Sequence, residues 1–170
     1  MRRLPIFLAL AIGTLLAGCF ASDRPMFSPA SAVPALGDGG RYATFELDQG
    51  KARPSDPIAV RPRPDGGYDF VNEKGHATPV TFHPIAGGMH VAQVRLDGGQ
   101  GYGYVVARIA GNEVVIIPAE CARQDKAKMD ALGVVQRNQY ECRIDRVADP
   151  AAFFAGLNFT PPVSKMVREP

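Results

Sequence analysis

From Arg41 onward the chain is written in short alternating runs. Ala43, Phe45 and Leu47 alternate with Tyr42, Thr44 and Glu46, the period of two of a strand with one buried face. A Gly-Lys and proline-rich break follows. Residues 58–60 then form a short apolar run ahead of Pro62 and Pro64, which places it at a sheet edge, because proline cannot donate to a ladder. Asp65-Gly66-Gly67 turns into a run at 68–71, and Glu73-Lys74-Gly75 into 78–82, where Pro79 marks an edge or a bulge. Gly87-Gly88 precedes 89–96, Asp97-Gly98-Gly99 precedes 102–109, and Gly111-Asn112, a tight-turn pair, precedes 114–117. About seven strands at hairpin spacing predict a mainly β fold: an antiparallel meander forming a small barrel or a strongly curved sheet. Its expected inner face carries Phe45, Phe70, Phe82, Val94, Val105 and Val115.

The C-terminal part changes character. Residues 123–132 are rich in helix formers and end at Gly133, a common residue just past a helix end. Residues 140–144 read as a further strand. Asp149-Pro150 supplies an N-cap and a first-turn proline for a second short helix at 151–157, whose Phe153, Phe154 and Leu157 would dock on the sheet. The β-rich domain is thus expected over 41–158, with one or two short C-terminal helices, and 159–170 as a tail.

The amino-terminal end carries another pattern. Arg2 and Arg3 precede residues 4–16, which are apolar apart from Thr14, and Leu16-Ala17-Gly18-Cys19 closes the segment. The run is too short for a spanning helix, which needs about 20 apolar residues. Charged start, apolar centre and small residues before a cysteine resemble the signal peptide and lipobox of bacterial lipoproteins. The resemblance implies that residues 1–18 are removed and that Cys19 carries two or three acyl chains, enough for durable anchoring. Phe20, rather than an aspartate, follows the cysteine, so by the same analogy the address is the outer membrane, facing the periplasm. Residues 19–40, rich in Pro, Ala, Ser and Gly, read as the lipidated cysteine and a flexible tether of about 25 Å reach.

Charge narrows the partners. The chain has 19 Lys+Arg and 17 Asp+Glu; without Arg2 and Arg3 the balance is 17 against 17. A neutral domain has no electrostatic bias toward nucleic acid. With Cys19 acylated, Cys121 and Cys142 remain. Their even count in an oxidising compartment predicts a disulfide, with two buried free thiols as the alternative.

Candidate chemistry is sparse. If residues 85–88 form a hairpin loop, His83 and His90 face each other across two strands, close enough to share a metal. Two ligands fall short of the three or four zinc takes, so Asp69, Glu73 or His76 would have to complete the set. Tyr102 and Tyr104 share one strand face and offer a ligand or partner patch, or ordinary packing. The glycine-rich 97–101 stretch has no helix after it and reads as a turn, and no nucleophile elbow, zinc-protease or phosphate-loop motif is present. No cofactor is expected. The function these features predict is a membrane-anchored, non-enzymatic binding or envelope-maintenance lipoprotein. The alternatives are a lipocalin-like carrier of a small apolar ligand and a periplasmic inhibitor module that binds an envelope protein.

Overall fold

The computed structural model describes residues 20–96, 98, 101–138, 141–144 and 146–170. Cys19 and the signal segment, much of the 97–101 turn and the first residue of the 140–144 strand lie outside them. In chain order come β1 (Phe20–Ser22), β2 (Gly40–Asp48), β3 (Lys51–Pro62), β4 (Tyr68–Val71), β5 (Ala77–Ile85) and β6 (Met89–Arg95). β7 (Tyr102–Ala110), β8 (Glu113–Ile117), α1 (Lys126–Ala131), β9 (Val134–Gln136), β10 (Cys142–Ile144), α2 (Pro150–Ala155) and β11 (Ser164–Arg168) follow.

Among the described residues, β2 to β8 form an up-and-down meander, and β11 fits between β8 and β2 to close an eight-stranded antiparallel barrel. The tight turns are where the sequence places them. Gln49 (φ 49°) and Gly50 (φ 80°) both take positive φ, as a two-residue hairpin turn requires. The barrel forks at β7. Its later half pairs with β8, while Tyr104 to Tyr102 pair with β1, and β1 continues through β10 to β9 as a small side sheet.

Two cores result. The register turns Tyr42, Val60, Tyr68, Val80, Phe82, Ala92, Ala107, Val114 and Met166 into the barrel, where they pack with Leu36. A second core lies outside the barrel wall. There Val91, Tyr104 and Val106 meet Phe20, Phe27, Phe153, Phe154 and Leu157 under α2 and the side sheet. The disulfide predicted between Cys121 and Cys142 is formed, with a Cα–Cα distance of 5.6 Å, and it ties the turn after β8 to β10.

The structure corrects several expectations. Residues 20–40 are not a free tether. Phe20 is 1 % and Phe27 7 % exposed, and Val33 bridges to Phe82 across the barrel rim. Residues 164–168 are not tail but the closing strand, which β8 and β2 both need for their open edges. The proline-rich stretch is not a break either. Pro54 and Pro57 lie within β3, whose other side meets β4 only from Ala59 onward, so no ladder on that side is interrupted. The helices are shorter than expected: residues 121–123 form a separate 3-10 turn, and Asp125 caps α1 through Lys128 N–H.

Four of the six expected inner-face residues point inward. Phe82 is buried inside, and Phe70, Val94 and Val105 point inward but are half-buried. Phe45 and Val115 point outward: Val115 sits between two apolar neighbours, one of which, Val114, takes the interior, and in β2 the buried Tyr42 sets the inward parity. One residue of register decides which face a side chain takes.

Candidate functional site

The histidine pair is separated by the same one-residue rule. The β5–β6 loop is 86–88, one residue shorter than the loop that would oppose the two rings, so His83 pairs with Val91 and Pro84 with His90. His83 therefore faces the outer core and His90 the barrel interior, so the register does not bring the two candidate rings together. Among the described residues no group of three or more metal-ligating side chains gathers. His90 Nδ1 is buried without a hydrogen-bond partner, and burial pushes the His90 pKa below its ordinary value.

His83 is 1 % exposed and fully partnered. Its Nδ1 lies 2.9 Å from Ser31 Oγ and its Nε2 2.9 Å from Thr81 Oγ1. Its ring stacks on Phe27 with centroids 4.5 Å apart. Burial holds its pKa below the usual histidine value. Neutral imidazole suits this position: one ring nitrogen donates, the other accepts, and no charge is desolvated.

The tyrosines divide by role. Tyr104 is buried, and its hydroxyl lies 2.6 Å from Ser22 Oγ and accepts from Met26 N–H at 3.0 Å. Beside it Phe27 N–H donates to Gln93 Oε1 at 3.1 Å. Tyr104, Gln93 and His83 thus form one polar row that fastens residues 22–31 to the barrel wall. That satisfies backbone groups the segment could not otherwise bury. Burial raises the Tyr104 pKa. Tyr104 is a clamp rather than a binding surface, while Tyr102 stays half-exposed.

Tyr102 instead lines a surface groove of about 180 Å³ between this fastened segment and the β3–β4 loop. Thr81 and Gln93 form its floor, and Phe27 and Pro29 one wall. The other wall is Arg63 with Asp65. Arg63 reaches Asp65 at 2.9 Å and Asp69 at 3.1 Å, and its hydrogen bond holds the Asp65 carboxyl below the usual range. Arg95 stands at the end beside Tyr102. The groove thus offers a polar floor, apolar walls and cationic groups at its margins. Of its residues sequence reasoning picked out Tyr102 alone, because they come from five separate segments. A further signal was Met26-Phe27, an apolar pair in an otherwise small and polar stretch.

A second exposed feature is the outer half of the β2–β3 hairpin. Residues 51–54 are exposed, and Arg53 pairs with Asp48 at 2.8 Å. Charges and two prolines on an uncovered edge discourage indiscriminate strand pairing.

The chain matches no known protein family, no curated protein and no solved structure. No helix among the described residues is long and apolar enough to cross a membrane.

Proposed function

We propose that this chain is a lipid-anchored, non-enzymatic binding module of the bacterial envelope, held by acyl chains on Cys19, that recognises an envelope protein with its outer surface. The observation that carries this reading is how the barrel is filled. Tyr42, Tyr68, Phe82 and Met166 occupy its interior, and Leu36 packs in among them, its N–H donating to the Tyr68 hydroxyl at 3.0 Å. A carrier keeps that space for its ligand. Recognition is then left to the exterior, where the groove at Tyr102 is smaller than the roughly 300–1,000 Å³ of small-molecule sites. It fits a partner's side chain better than a whole ligand.

A carrier role is the second reading. It is favoured by Phe70, Val94 and Ile116, which face inward yet remain half-buried and would form a shallow apolar lining. Two measurements on the full chain in its native envelope separate the readings. Replacing Arg95 with a photo-crosslinking residue should yield a discrete protein adduct. Native mass spectrometry of the detergent-extracted chain should show acyl mass on Cys19 and no further small molecule. A co-purifying apolar molecule without a protein adduct would overturn surface recognition in favour of the carrier. An unacylated, freely soluble chain would overturn the anchor.

A further inference from the structure

The anchoring residue and the fold leave no slack between them. Phe20 is 1 % exposed and Ala21 7 %. Phe20 pairs with Tyr104 on one side and Cys142 on the other, and its ring meets Phe153 and Phe154 edge-on at 5.4 and 6.0 Å. Consecutive Cα atoms are about 3.8 Å apart, so a lipid on the preceding residue is attached one peptide away from the second core. The headgroup layer is roughly 5–8 Å thick on each side of the hydrocarbon. One residue cannot carry the domain clear of it.

We infer that the domain sits flush on the lipid bilayer, with the fork of the sheet against the headgroups. This deepens the lipid-anchor reading and rests on it. The register identifies the face. Along β7, the pair Tyr104–Phe20 is followed on the same edge by Val106–Ile117, so the amino end of β1 abuts the end of β8. On its other side β10 is preceded by Glu141, whose carbonyl accepts from Arg137 N–H at 2.9 Å. The end of β8, the 3-10 turn bearing Arg123 and the β9–β10 turn bearing Arg137 therefore meet the membrane. β3 lies four strands from β7 in either direction round the barrel, roughly 16 Å across it. Ile116 near the end of β8, Ser164, Glu46 and Arg53 share one pairing row, so the part of β3 that faces away from the lipid is its Arg61–Pro62 end with the β3–β4 loop, where a soluble-side partner can reach it.

The chain has no tryptophan, so a single introduced one reports without background. The full-length acylated chain carrying Arg137→Trp or Arg61→Trp is reconstituted into phosphatidylethanolamine–phosphatidylglycerol vesicles containing dansyl-labelled phosphatidylethanolamine. Energy transfer should be several-fold greater for Arg137→Trp than for Arg61→Trp. Inserting about ten Gly/Ser residues between Cys19 and Phe20, roughly 18 Å of reach, should cut the Arg137→Trp transfer several-fold. Arg123→Trp on the same face serves if Arg137→Trp does not fold. Equal transfer from both ends of the domain, or transfer unchanged by the insertion, overturns flush seating. Metabolic labelling with an alkyne palmitate, lost in Cys19→Ser, separates the two levels. An unlabelled wild-type chain removes the anchor itself, whereas a labelled chain with weak Arg137→Trp transfer removes the seating alone.

Discussion

Replacing Phe27 by alanine is the sharpest test of whether residues 20–40 belong to the fold. The ring is 7 % exposed. It stacks on His83 at 4.5 Å and on Phe154 at 6.0 Å, and sits 6.5 Å from Tyr104. Truncating a buried phenylalanine costs about 3–5 kcal/mol through lost transfer energy and the cavity left behind. The site has little freedom to collapse, because one wall is barrel strand and the other is α2. A residue in a flexible tether would change stability by no more than about 0.5 kcal/mol. The two descriptions therefore differ several-fold. In a domain of about 150 residues each kcal/mol moves Tm by roughly 2–4 °C, so Phe27→Ala should lower it by at least about 6 °C. The assay is thermal and urea unfolding of the full chain in mild detergent, followed by circular dichroism. The urea slope should stay unchanged, since the same surface is exposed on unfolding. A Tm within about 1 °C of wild type would refute the fastened segment.

Four further outcomes follow from the same geometry. Tyr104→Phe removes one hydroxyl but strands Met26 N–H and weakens the hold on Ser22, so urea unfolding should show a loss of about 1–3 kcal/mol; no loss would mean water already serves those groups. Both histidines have folded-state pKa values lowered by burial, so below the ordinary value of 6.5 the unfolded chain takes up protons that the folded chain refuses. Stability should be level above about pH 7 and fall as the pH drops from there to 5, by at most about 1.4 kcal/mol per pH unit per histidine, with a shallower fall in His83→Gln; a Tm flat over that range would overturn the assignment. Reducing the bond between Cys121 and Cys142, which are 21 residues apart, should cost about 3 kcal/mol, read as a Tm drop on adding reductant; an unchanged Tm would mean the bond constrains nothing. Truncation before Ser164 removes β11 and opens the barrel on two strands, so cooperative unfolding should be lost; a sharp transition at the wild-type temperature would restore the tail reading.

What could be read along the chain was local. Alternation and glycine-rich turns locate β4 to β8, because each hairpin is a neighbour-to-neighbour event. What could not be read was long-range or a matter of one residue. In β8 the run Val114-Val115-Ile116-Ile117 is apolar at every position, so no alternation says which face is inside. At β5–β6 one residue of loop length sends His83 outward and His90 inward, and a metal pair becomes two unrelated rings. β11 buries only Met166 among its five residues. Its reason for being a strand is the two open edges that β8 and β2 present, one of them more than a hundred residues away in sequence.

The two chain ends share a physical cause. Both read as loose because each carries few apolar residues without a period, and both are ordered by surfaces built elsewhere. β11 closes the barrel. Residues 20–36 cover its outer wall and contribute Leu36 to its interior. That use of the amino-terminal segment changes what an anchor at Cys19 would do. On a tether of about 25 Å the domain would sample all orientations above the membrane. With Phe20 held between β7 and β10, leaving the headgroup layer requires β1 to peel away and expose Phe20 and Ala21. Burying a phenylalanine alone is worth about 1.5–3 kcal/mol, so the seated state should dominate by about tenfold or more. An anchor so placed fixes orientation as well as location, and directs the β3–β4 end of the barrel toward whatever the domain recognises.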